Sequence, residues 1–170
     1  MKLAFTTAID TDAPALAALH SAVAEDLTRR FGHGYWASAQ TEAVVLRALR
    51  KPNFSRVLIA RANNRIVGTL HLATKKPWAI DTAYFTPVKT ALYLTNMAVH
   101  PDVHRKSVGR QLMKEVEAVA LAWPADAIRL DAYDTKAGAE GFYAKCGFCE
   151  VGRVIYRRVP LVYFELVLAR

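Results

Sequence analysis

Cysteine is scarce in this 170-residue chain. Only Cys146 and Cys149 are present, too few for a disulfide framework and suited to a reducing compartment, so a cytoplasmic protein is expected. Long apolar runs are missing too. Stretches such as residues 43–46 and 161–164 are broken by charge far short of the roughly 18 residues a membrane-spanning helix needs, and no membrane partner is expected. The N-terminus has one lysine, alternating residues and then Asp10 and Asp12, where a secretory signal requires an unbroken apolar core. Runs of like charge are also absent. The 23 Lys and Arg against 15 Asp and Glu give a net charge of +8, a field that draws anions, but the cations are dispersed in short clusters such as Arg29-Arg30, Lys75-Lys76 and Arg157-Arg158. Nucleic-acid binding needs clustered cations with interleaved aromatics on one face. Only Tyr156-Arg157-Arg158 hints at that, so no nucleic acid is expected as partner. The histidines at 20, 33, 71, 100 and 104 lack metal-ligand spacing, and Cys146-Gly147-Phe148-Cys149 straddles a helix end instead of opening a helix. No metal is expected.

What is present is the balance of one globular domain over residues 1–170, with 53% apolar and 22% charged residues. Residues 2–8 alternate weakly, as a first strand does. Thr11 or Asp12 then caps a helix with Pro14 in its first turn, and Leu16, Leu19, Val23 and Leu27 mark its apolar face up to Gly32. A second helix is predicted from Ser38 to about Arg50, with Val44 or Val45 and Leu49 inward, after an aromatic loop at His33 to Trp36. Strands are expected at 57–62 and 66–74, joined by Asn63-Asn64, which tolerate the positive angles of a tight hairpin. Residues 75–89 show no period and read as a loop. Residues 91–99 are apolar on both parities, as in a central strand covered on both faces.

The longest helical stripe follows, through Val108, Leu112, Val116, Val119 and Ala120. A strand at 127–133, a short helix at 138–145 and a terminal hairpin of 148–157 with 161–168 complete an α/β (α+β) domain on a mixed sheet.

The chemistry gathers where the central strand enters that longest helix, at Met97-Ala98-Val99-His100-Pro101-Asp102-Val103-His104-Arg105-Lys106-Ser107-Val108-Gly109-Arg110. The first amides of a helix have no internal partners and the helix dipole adds partial positive charge, so a basic, glycine-bearing loop there suits a phosphate. This segment resembles the acetyl-CoA signature of the GCN5-related N-acetyltransferase (GNAT) superfamily, Gln/Arg-x-x-Gly-x-Gly/Ala at a helix start. It departs at His104, where the pattern has Gln or Arg, and at Ser107, where it has the first glycine. Serine is expected to adopt a helix-start conformation and still offer its N–H. A second stretch, Ala139-Glu140-Gly141-Phe142-Tyr143-Ala144-Lys145-Cys146-Gly147-Phe148, is similar to the superfamily's late Ala-x-x-Phe/Leu-Tyr-x-x-x-Gly-Phe signature, in the right order.

The resemblance implies a mostly antiparallel mixed sheet with splayed central strands flanked by helices. It implies acetyl-CoA as acyl donor, with the pantetheine arm against the backbone of Met97, Ala98 and Val99 and the pyrophosphate on Arg105, Lys106, Ser107, Val108, Gly109 and Arg110. An amine attacks the thioester and an acid protonates the thiolate. Tyr143 matches the tyrosine acid by position, or else packs as an aromatic. Asp131 matches a carboxylate base on the fifth strand, or else pairs with a neighbouring arginine. Alternation sets Arg129, Asp131 and Tyr133 on one face of that strand. Lys136 stands where an asparagine often contacts the cofactor. The acceptor is an amine of a small molecule or peptide, in a pocket expected from the loops 33–36 and 77–87 and the terminal hairpin, with Tyr35, Trp36, Trp78, Tyr84 and Phe85 as walls or as core cover. A homodimer is common among the proteins it resembles. The alternative is a CoA-binding or regulatory module of the same fold with weak turnover.

Overall fold

A computed structural model describes residues 1–169. Seven strands form an open, mostly antiparallel mixed sheet in the order β1-β2-β3-β4-β5-β7-β6. The strands are β1 (Ala4–Thr7), β2 (Ser55–Ala62), β3 (Arg65–Ala73), β4 (Ala91–Val99), β5 (Ala127–Tyr133), β6 (Cys149–Tyr156) and β7 (Val159–Val167), and the helices are α1 (Ala13–Phe31), α2 (Glu42–Leu49), α3 (Val108–Ala122) and α4 (Glu140–Lys145). β4 and β5 pair in parallel, with Ala91 to Tyr93 opposite Ala127 to Arg129. The chain divides into two compact units, Met1–Leu72 with Asn96–Glu115, and Ala73–Thr95 with residues from Val116 onward.

In the first unit, the α1 stripe buries Leu16 and Leu19 against Val45, Val57, Ile59, Ile66 and Ala98. Val45 faces inward and Val44 outward. α2 begins at Glu42, not at Ser38, because Thr41 is the residue whose hydroxyl accepts from the Val44 amide, while Tyr35–Ala37 form a separate 3-10 turn. Asp12 directly precedes α1 without capping it. Its carboxylate accepts from the Ile9 amide at 3.0 Å and pairs with Arg61. Asn63 and Asn64 turn β2 into β3 with φ of 47° and 65°, as their residue types suggested.

In the second unit, the segment between β3 and β4 folds onto the sheet through Ile80 and Phe85, which are buried with Tyr93 and Tyr163. Tyr84 meets Tyr163 edge-on and Phe85 tilts against it, at ring distances of 5.4 and 5.3 Å, and Gly152 lies under the Tyr84 ring, where a Cβ would come within 2.3 Å. Phe85 is buried core cover, whereas Tyr84 stays 45% exposed. β6 and β7 are joined by Arg157 and Arg158 at φ of 48° and 69°, so the terminal turn is tighter than the gap in apolar pattern implied.

Candidate active site

β4 carries a reversed residue inside its apolar run. Asn96 has φ 53°, which interrupts the strand's alternation and leaves Asn96 exposed between the half-buried Thr95 and Met97. Asparagine accepts this left-handed conformation more readily than most residues, and a polar amide in the middle of an apolar strand was the one signal for it. Beyond Asn96, Ala98 is buried, and the His100 amide continues the strand pairing by donating to the Val67 carbonyl at 2.9 Å.

The loop from His100 to Ser107 is held at both ends. Arg65 donates to His100 Nε2 at 2.6 Å and lies 3.4 Å from the Asp102 carboxylate. His104 places Nε2 2.9 Å from the Val99 carbonyl, a geometry that makes that nitrogen the donor and leaves the carbonyl one lone pair for another partner. Arg105 and Ser107 both take left-handed backbone angles, φ 63° and 60°. Ser107 is therefore not in the helix-start conformation expected of it: it holds a conformation that favours glycine, as the superfamily pattern has there. The helical ladder of α3 starts with the Gln111 amide donating to the Ser107 carbonyl at 3.0 Å, so the amides of Val108, Gly109 and Arg110 have no acceptor within the helix. Val108, 1% exposed, anchors this end. Its Cγ1 would stand 3.1 Å from a Cβ at Gly68, so glycine on β3 is what lets the helix approach so closely. Arg105, Lys106 and Arg110 are all exposed. Three exposed cations and three amides without a helical partner thus stand together at one helix end, an arrangement able to bind an anion.

The second unit holds the other two candidates. Asp131 is half-buried on β5, opposite Tyr163 of β7. Its neighbour Arg129 does not pair with it. That guanidinium is buried and donates to Glu165 Oε1 at 3.0 Å and to the Thr86 carbonyl at 2.6 Å, 5.0 Å above the Phe85 ring. Glu165 in turn accepts from the Thr86 amide at 3.1 Å. This buried pair straps the loop before β4 to the sheet. Apolar alternation did not reveal it, because each charge stands alone among aliphatic neighbours in sequence. Among the described residues Asp131 thus has no ion-pair partner, and burial raises its pKa above the usual carboxylate value.

Tyr143 on α4 is 7% exposed and packs with Phe142, Phe148 and Phe164 at ring distances of 5.3, 6.0 and 5.8 Å. Burial first, and then the negative charge of Asp131, push its hydroxyl well above the ordinary tyrosine pKa. Burial and Asp131 raise Tyr133 in the same way. Tyr143 is therefore protonated at any physiological pH and close enough to Asp131 to sense its charge. Lys136 is exposed. Of the expected aromatic walls, Trp36 sits edge-on to Phe31 and donates to the Gly32 carbonyl at 3.2 Å, Tyr35 is half exposed, and Trp78 projects into solvent, 83% exposed. Among the described residues, no group of three His, Cys, Asp or Glu is placed to hold a metal ion, and no helix is long and apolar enough to cross a membrane.

Residues 17–148 match the Acetyltransferase (GNAT) family. Among solved structures, the chain is similar to the PaiA N-acetyltransferase of Thermoplasma acidophilum in complex with coenzyme A, with 13% identity, 96% of this chain and 98% of the other covered, and a TM-score of 0.73. A ribosomal-protein-alanine N-acetyltransferase of Brucella melitensis gives 18% identity, coverage of 97% and 99%, and a TM-score of 0.74. A GCN5-related N-acetyltransferase of Rhodopseudomonas palustris gives 25% identity, coverage of 99% and 97%, and a TM-score of 0.71. No curated protein matches the sequence significantly.

Proposed function

Because the chain belongs to the GNAT acetyltransferase family, we propose that all of it forms one acetyl-CoA-dependent N-acetyltransferase domain, moving the acetyl group to a primary amine by direct attack on the thioester. The observation that carries this reading is the start of α3, where Arg105 and Ser107 take left-handed backbone angles and the amides of Val108, Gly109 and Arg110, which lack a helical partner, stand beside three exposed cations. A pyrophosphate carries the charge and the acceptor oxygens that such an arrangement binds. In this reading the backbone of Met97, Ala98 and Val99, just beyond the left-handed Asn96, takes the pantetheine arm.

Asp131 accepts a proton from the amine nitrogen, its raised pKa bringing it closer to the working pH of a general base. Tyr143 donates a proton to the departing thiolate. Burial and then the charge of Asp131 hold its hydroxyl protonated, so it carries the proton this step needs. Ser107 and the exposed Lys136, both departures from the superfamily pattern, favour a second reading, a CoA-binding module of weak turnover.

Release of CoA from saturating acetyl-CoA, followed across a panel of small amines, aminoglycosides and alanine-terminated peptides, separates the two. Turnover with an amine supports the enzyme. An acetyl-CoA-induced rise in melting temperature with no amine turned over supports the binding module, and the absence of both contradicts each reading.

A further inference from the structure

Arg129 and Asp131 stand two residues apart on β5, so their side chains leave the same face of the sheet about 7 Å apart along the strand. Across the β5–β7 pairing they lie opposite Glu165 and Tyr163, on that same face. An arginine so placed is an ordinary partner for an aspartate, and its charge would draw the carboxyl well below the usual carboxylate range. That pairing does not form. The guanidinium donates to Glu165 Oε1 at 3.0 Å and to the Thr86 carbonyl at 2.6 Å, while Glu165 Oε2 accepts from the Thr86 amide at 3.1 Å. The two side chains are 6% and 3% exposed. A buried ion pair is often no more stabilising than apolar residues of the same volume, so strength alone gives no reason for charges at these positions. The loop gives a reason for the arginine, since the Thr86 carbonyl takes a donor from it. The arginine, two residues from Asp131, in turn gives a reason for the glutamate.

We propose that Glu165 is a positioning residue for the reaction: by binding and neutralising Arg129, it keeps the cation that straps the loop away from Asp131 and leaves that carboxyl able to take the amine's proton. This rests on the acetyltransferase reading above, with Asp131 as the proton acceptor. The other groups that sense the Asp131 charge are phenols. Tyr133 on β5, Tyr163 on β7 and Tyr143 on α4 are each raised above the ordinary tyrosine pKa, by burial first and by that charge among the further causes, so near neutral pH they are uncharged. β4 contributes Tyr93, opposite Arg129. In the loop against this face, Lys76 donates to the Pro77 and Ile80 carbonyls at 3.2 and 2.6 Å, and the Asp81 carboxylate accepts from the Ala83 amide at 3.0 Å. Cys149 of β6 lies opposite Glu165, across β7 from Arg129.

The test has two readouts on the full chain. One is the titration of the Asp131 carboxyl carbon by 13C NMR, its resonance assigned by its loss in Asp131→Asn. The other is the pH dependence of kcat/KM for CoA release with the amine selected by the panel. The wild type is compared with Glu165→Gln, which keeps an acceptor oxygen but removes the charge, and with the neutral double variant Arg129→Leu, Glu165→Gln. In Glu165→Gln the uncompensated guanidinium is expected to move the carboxyl titration down by about one pH unit. The acid limb of kcat/KM is expected to move with it, and its plateau to fall by up to about tenfold as the base weakens. The double variant is expected to return both to their wild-type positions. Should Glu165→Gln not fold, Glu165→Asp, which is too short to hold Arg129 and Thr86 together, is expected to give a smaller shift of the same sign. A pair with only a structural role would change stability and leave both titrations in place, and an unmoved carboxyl in the folded variants would overturn the proposal while the acetyltransferase reading stood. A carboxyl that moves while the limb stays would overturn it together with Asp131 as acceptor. No turnover of any amine by the wild type would overturn the acetyltransferase reading, and the proposal with it.

Discussion

Arg105, Lys106 and Arg110 hold their charges in water at the start of α3, whereas Asp131 keeps its carboxyl half-buried on β5, with its arginine neighbour committed to Glu165. In the proposed function, exposed cations beside amides that lack a helical partner supply affinity for an anion. A carboxyl withdrawn from water and, among the described residues, left without a cation has its proton affinity set by its surroundings, and in the proposed function it takes the amine's proton.

The comparison breaks most severely at Glu165. Glu165→Ala leaves Arg129 charged and buried with no carboxylate, an expected loss of about 3–5 kcal/mol in urea unfolding. It also frees Arg129 to turn toward Asp131. A loss below about 1 kcal/mol would show that the strap over the loop before β4 is not held by this pair.

Tyr143→Phe is the next largest. It deletes one hydroxyl from a ring packed on three phenylalanines, so stability is expected to hold while turnover falls at least about tenfold and acetyl-CoA affinity stays within about threefold. Unchanged turnover would reduce Tyr143 to a packing residue.

Asp131→Asn sharpens the contrast through pH. A carboxyl whose folded pKa is raised binds protons more tightly in the native state, so native stability falls as pH rises from the ordinary carboxylate value toward the raised one, and the deficit persists above it. The asparagine variant is expected to lose that fall and to be the more stable protein near neutral pH, while turning over more slowly. Parallel stability profiles for the two proteins, measured by chemical unfolding from pH 3.5 to 8, would contradict the assignment of a raised pKa.

Ser107→Gly is the smallest effect. Removing a Cβ from a residue at φ 60° relieves strain of about 1 kcal/mol. A small rise in melting temperature is expected, with acetyl-CoA affinity equal or tighter. A large loss of affinity would make the serine hydroxyl itself a ligand.

Much of this was legible in the residues. The helical stripes of α1 and α3, the Asn63-Asn64 turn and the doubly apolar β4 each follow from a local pattern that the packed fold does not override, and the first superfamily motif pointed to the loop and helix start at residues 104–109. What escaped depends on distant partners. The Arg157-Arg158 turn has no glycine or asparagine to mark it, because strand pairing on both sides forces the positive angles. The Arg129–Glu165 pair joins two strands and a loop that are far apart in sequence. The start of α2 was set by one threonine hydroxyl that composition does not distinguish from Ser38. The elevated proton affinities of Asp131 and Tyr143 are consequences of burial, which no residue type carries by itself.

The most direct measurement is the melting temperature with and without acetyl-CoA for the wild type and for Arg105→Glu and Arg110→Glu. At about a hundredfold excess over Kd, ligand binding adds about 2.7 kcal/mol, or about 5–10 °C for a chain of this length. The account predicts a rise of that order in the wild type and its near-complete loss in both variants, whose unliganded melting temperatures remain close to wild type. No rise at millimolar acetyl-CoA, or an equal rise in the charge-reversed proteins, would contradict it.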